Sequence, residues 1–149
     1  MKGFLTTTVV ATLAAIVIAP NGPLGAFWAP AYGTPMPSGS VLAGYVAERT
    51  IENVAFGVGI AILLLRRRWF AERTSDQRRA STAWLASVWL LASWMPHAAL
   101  HMHIGMEPNE LLLVEWIFHA GAIVATAALL WALLTTRKEQ QQSVLSRAR

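Results

Sequence analysis

The chain has no cysteine among its 149 residues, which excludes disulfides, thiolate metal sites and cysteine nucleophiles. Charge is scarce as well. Only 13% of the residues are Asp, Glu, Lys or Arg, against roughly 25% in soluble domains, and these few are confined to short stretches. No phosphate-binding loop, dinucleotide fingerprint or nucleophile motif occurs, and the Ser and Thr residues have no evident base beside them. Gly57-Val58-Gly59 lies inside an apolar run and suits helix packing, not phosphate binding.

What the chain has instead is apolar length. Hydrophobic residues make up 55% of it and the mean hydropathy is +0.45. Apolar runs of about 20 residues are long enough to cross a bilayer, and four fit here with short connections, as one domain over residues 1–149. The pI near 10.4 would suggest nucleic acid in a soluble protein. The arginines instead sit beside apolar segments, where they act as topology signals, so nucleic acid is set aside as a partner.

In order, the expected spans are about 4–19, 41–65, 81–103 and 109–135, with a basic tail over 136–149 read as a frayed helical end or disorder. The first resembles a signal peptide, but Ala19-Pro20-Asn21-Gly22 is a poor cleavage site. Ala29-Pro30-Ala31 lies too far beyond the apolar run, so the segment is read as a retained span. The Pro- and Gly-rich connection over 21–40 carries Phe27, Trp28 and Tyr32, suited to a membrane–water boundary, and is read as a connection at the interface and not a lid. Arg66 to Arg79 holds six arginines against Glu72 and Asp76. Short Arg-rich loops stay cytoplasmic, and Lys2 and the basic tail then fall on the same side. The expected fold is thus an all-α integral membrane four-helix bundle with both termini cytoplasmic.

All four histidines lie between Trp94 and His119, and ionisable groups at membrane depth are functional-site candidates. Glu48 and Glu52, His97 and His101, and Glu115 and His119 are each four apart, so each pair shares one helical face. At about 1.5 Å per residue, Glu52, His97 and His119 fall roughly 5–8 Å outside the bilayer midplane, and Glu48, His101 and Glu115 roughly 10–14 Å. Ala55 and Gly59 continue the face of Glu48 and Glu52 and admit a close neighbouring helix, which makes this the expected buried face, with Arg49 offsetting part of its charge. Pro96 is expected to kink the third span.

Four readings of this layer stand open. His97, His101, His119, Glu115, Glu52 and Glu48 suit a zinc, iron or manganese site, and Met95, Met102 and Met106 add copper. The Glu-x-x-His pattern of carboxylate-bridged di-metal bundles is not met. Haem b between His97 and His119 is the second, with Arg49 on a propionate. A proton or small-solute relay is the third. The fourth is structural: buried Glu, His and Arg satisfying one another in a non-catalytic accessory subunit of a membrane complex or a homo-oligomer. His103, Glu107 and Glu110 are read as solvated groups of the outer turn.

Pro96-His97-x-x-x-His101-x-His103, together with Glu48-Arg49-x-x-Glu52-Asn53 and the Gly-containing span after it, resembles small four-span membrane proteins of high-GC bacteria, distantly similar to the DoxX-like family. The resemblance covers segments two to four. It implies a four-helix membrane fold in the bacterial inner membrane and carries no activity, substrate, cofactor or site residue.

Overall fold

The computed structural model describes residues 1–28, 38–74, 76–105 and 108–147, without the side chains of Phe27, Trp28, Pro108 and residues 135–147. Tyr32, Ala29-Pro30-Ala31, Met106 and Glu107 lie outside the described residues. Among those described, the regular structure is all helical. Helix α1 (Lys2–Ile18) is followed by one 3-10 turn (Gly25–Trp28), then α2 (Gly39–Leu65) and the short α3 (Arg67–Ala71). Next come α4 (Gln77–Ala92), α5 (Trp94–Ile104), α6 (Pro108–Glu115), a π-helical turn (Trp116–Ala120) and α7 (Gly121–Arg147).

Local chemistry sets several of these boundaries. Asp76 caps α4 by accepting from the Arg79 backbone N–H at 2.9 Å, and its other oxygen pairs with Arg79 Nε at 3.1 Å. Pro96 has no N–H to offer the Ala92 carbonyl, and the expected disturbance falls at Ser93, between α4 and α5. Pro96 itself sits in the first turn of α5, where a missing donor costs little. Helix α5 ends at Gly105, whose φ of 65° is open to glycine at low cost, and whose N–H bonds to the His101 carbonyl at 3.0 Å. The tail expected to fray continues α7 as helix to Arg147.

Neighbouring long helices pack in chain order, α1 on α2, α2 on α4 and α4 on α7, and they run antiparallel. The Arg66 guanidinium lies 4.4 Å from the Phe4 ring centre, so the end of α2 meets the start of α1. Trp84 Nε1 donates to the Ile62 carbonyl at 3.0 Å, and Phe70, Ala80, Ala83 and Ala132 form one apolar cluster. The start of α1, the arginine-rich turn and the stretch of α7 around Ala132 therefore share one end. At the opposite end Asn21 donates to Tyr45 Oη at 3.1 Å, and Tyr45 donates to Met102 Sδ at 2.8 Å.

The interior is built from small side chains. Among the described residues, nine of the twelve buried apolar ones are alanine, while Leu13, Leu64, Leu85, Leu112, Ile123 and Leu134 are exposed. Glycines carry the closest approaches: a Cβ on Gly59 would lie 2.8 Å from Ala92 Cβ, and one on Gly57 would lie 2.6 Å from the Thr8 carbonyl oxygen. Gly59 thus plays the packing role expected of it.

One described stretch, Asn109–Leu134, is long and apolar enough to cross a membrane, with 26 residues and mean hydropathy 2.0. The other three expected spans fall short for identifiable reasons. Helix α1 has 17 residues. The interruption at Ser93 divides the third into helices of 16 and 11 residues. Glu48, Arg49 and Glu52 fall within every 18-residue window of α2.

Candidate metal centre

The end of the bundle opposite the arginines gathers the polar side chains. His97 and His101 project from one face of α5, and their Nε2 atoms approach to 2.8 Å. Glu115, the last residue of α6, reaches His101 Nε2 with Oε1 at 3.1 Å, and its Oε2 meets His119 Nδ1. The four groups form one chain, His97 to His101 to Glu115 to His119, drawn from α5 and from the stretch Glu115–His119.

His97 is the most enclosed of the four, at 8% exposure. Its ring stacks on Phe118 with centres 4.9 Å apart and meets Trp94 edge-on at 5.8 Å. Phe118 in turn stacks on Trp89 at 6.0 Å. Trp89 can lie there because Gly121 has no side chain, since a Cβ at that position would fall 2.6 Å from the indole. The packing of α4 against α7 thus fixes the rotamer of a histidine on α5.

One ligand atom each from His97, His101 and Glu115 lie within 4.8 Å of one another. Two donors about 2.1 Å from a metal, separated by the tetrahedral angle, stand about 3.4 Å apart. The closest observed edges, 2.8 and 3.1 Å, would open by about 0.6 and 0.3 Å to reach that spacing. Two imidazoles and a carboxylate suit Zn(II), Fe(II) or Mn(II). Of the methionines, Met102 has its sulfur engaged by the Tyr45 hydroxyl, which weakens the copper reading.

Haem b between His97 and His119 does not fit this geometry. Axial imidazoles on one iron hold their ring centres about 6 Å apart with a macrocycle between them. Here the centres are 4.9 Å apart in an edge-to-face contact at 87°, which leaves no room for a porphyrin.

The structure brings together His97, His101, Glu115 and His119, with His119 joined through Glu115. The carboxylates of α2 stand apart from this group. Glu52 pairs with Arg49 at 3.0 Å, and Glu48 is exposed. Both line an open hollow of about 480 Å³ with Gly44, Ile51 and Trp94, whose indole also touches His97 and His119. The face expected to be buried is this hollow. The inward face of α2 is turned by about one residue: Tyr45 bonds Met102 on α5, Arg49 is partly buried and Asn53 is buried. His103 and Glu110 are exposed, as expected.

Sequence reasoning missed the π-helical turn over Trp116–Ala120 between Glu115 and Gly121. Such turns insert one extra residue and recur at functional sites, but an apolar sequence on either side leaves no periodic trace of one. Comparison of the chain with protein-family models, with curated proteins and with solved structures finds no match.

Proposed function

We propose that the protein is a four-span integral membrane protein of the bacterial inner membrane that holds one divalent transition metal on His97, His101 and Glu115. The observation carrying this reading is the convergence of three ligand atoms, from two helical segments, within 4.8 Å. An Fe(II) or Mn(II) occupant would make the site redox-capable, and Zn(II) would make it a Lewis acid.

The membrane part of the reading rests on how the surface is composed. Alanines face inward and leucines, isoleucines and valines face outward. That is costly in water and suits lipid, where helices associate through small residues and close backbone approach. Four arginines at one end lie over aromatic rings, Arg66 on Phe4, Arg67 on Trp84, Arg73 on Trp69 and Arg79 on Trp131. Cationic and aromatic side chains mix in this way at a membrane–water boundary. The orientation follows from the positive-inside rule, with the arginine end cytoplasmic and the metal in the outer half. The resemblance to small, distantly DoxX-like membrane proteins accords with it.

Orientation is tested with Gln77→Cys, at an exposed site in a chain with no thiol of its own. A membrane-impermeant maleimide should label it in inverted vesicles and leave it unlabelled in intact spheroplasts; the opposite pattern overturns the topology. The metal is tested by elemental analysis of the protein purified in detergent without chelator. About one equivalent of zinc, iron or manganese per chain is expected, and less than about a fifth sinks the reading.

The hydrogen-bonded chain from His97 to His119 favours proton handling as the second reading, since contiguous Glu and His side chains in membranes recur in relays. A metal-free chain that acidifies or alkalinises proteoliposomes under an imposed gradient would select it.

A further inference from the structure

The metal reading accounts for α5 and α6 but leaves the inward face of α2 without a task. Tyr45 meets Met102 at 2.8 Å, and Glu52 shares a hollow with Trp94. Between them on α2 lies Arg49, and between Met102 and Trp94 on the antiparallel α5 lie His97 and His101. Arg49 is therefore level with the two histidines.

The guanidinium is only partly used. Nη1 pairs with Glu52 at 3.0 Å, and the group sits 4.9 Å from the Tyr45 ring centre. Nε is buried and meets no acceptor among the described residues. A buried N–H left unpaired costs about 1–3 kcal/mol, more when it is charged, so the Arg49 Nε marks a place built to receive an acceptor.

The metal supplies the other half of the argument. Two neutral imidazoles and one carboxylate leave a divalent ion with a net positive charge and with coordination positions for further ligands. Resting on the metal reading above, we infer that Arg49 and the metal together bind a small oxyanion of the carboxylate type. One oxygen ligates the metal and the other accepts the Arg49 Nε hydrogen. The anion neutralises the metal and gives Arg49 the acceptor that Glu52, occupied at Nη1, does not provide. Arg49 is an anion-binding arm, and its ion pair with Glu52 at 3.0 Å fixes its direction.

Cobalt(II) in place of the native metal reports on its own ligands through its visible absorption bands. The full-length protein loaded with Co(II) in detergent is titrated with formate as the probe. Saturable changes in the bands are expected. Arg49→Gln should still bind about one equivalent of Co(II) but need at least about tenfold more formate for half-saturation, the loss typical of one charge-assisted hydrogen bond. Arg49→Lys, which keeps the charge but not the Nε hydrogen, should fall between the two, and it carries the comparison if Arg49→Gln does not purify. Formate affinity unchanged in the loaded variants, or wild-type bands indifferent to formate, overturns this inference and leaves the metal reading standing. Failure of the wild-type protein to take up Co(II) overturns both.

Discussion

Replacing His97 with alanine is expected to raise the Kd for the bound metal at least about a hundredfold and to leave purified protein with less than about a tenth of an equivalent. The size of the effect follows from the small donor set. With three protein ligands, removing one leaves a two-point site that competes poorly with water. His97 is also the member held most firmly, between Phe118 and Trp94, so the neighbours are poorly placed to bring in a substitute. His101→Ala and Glu115→Gln should match it. His119→Ala is predicted to differ. Its Nδ1 holds the Glu115 oxygen that does not face His101, a supporting role whose removal typically costs 10–100-fold in metal affinity. His103→Ala, at an exposed position outside the triad, should leave the metal in place. Metal content after gel filtration, followed by calorimetric titration, ranks the series. If His119→Ala loses metal as completely as His97→Ala, His119 belongs among the ligands.

The second large effect is expected at Gly59, far from any chemistry. A Cβ there would fall 2.8 Å from Ala92 Cβ and 2.9 Å from the Ala92 backbone nitrogen. Gly59→Leu therefore pushes against main chain, which cannot rotate away as a flexible side chain would. Inserting methylenes into a close-packed contact typically costs 1–3 kcal/mol, and here the side chain must also separate α2 from α4. Loss of monodisperse protein, or a fall in Tm of at least about 10 °C, is the predicted outcome. Gly44→Ala is the control. Nothing lies within 4 Å of its added Cβ, and alanine is favoured over glycine in helices by about 1 kcal/mol, so Tm should hold or rise. A Gly59→Leu protein as stable as wild type would mean that α2 and α4 do not meet there.

Much of this was legible in the sequence. The helix over 41–65 is α2 to within two residues, and the spacing of four that joined His97 to His101 and Glu115 to His119 is the spacing the site uses. What periodicity fixes, however, is which residues share a face, not where that face points. Glu48 and Arg49 are adjacent in sequence and about 100° apart on the helix. Of the face expected to be buried, Gly59 packs on Ala92 while Glu48 is exposed beside the hollow. An apolar helix surrounded by apolar positions offers no amphipathic contrast from which to set its rotation. The haem reading failed for a different reason. The spacing of His97 and His119 along the chain says nothing of the turn that brings their rings into contact.

The π-helical turn at Trp116–Ala120 has a consequence for how this last helical stretch is used. An added residue offsets the stretch before it from the stretch after it by roughly 100°. Helix α6 contacts α5, and α7 contacts α4, so the chain meets two differently placed neighbours without bending away from either. Glu115 and His119 stand at the seam between the two phases. The seam is also where the two meet: Phe118, inside the turn, lies between Trp89 and His97, so a change in how α4 sits on α7 reaches the histidine through one ring.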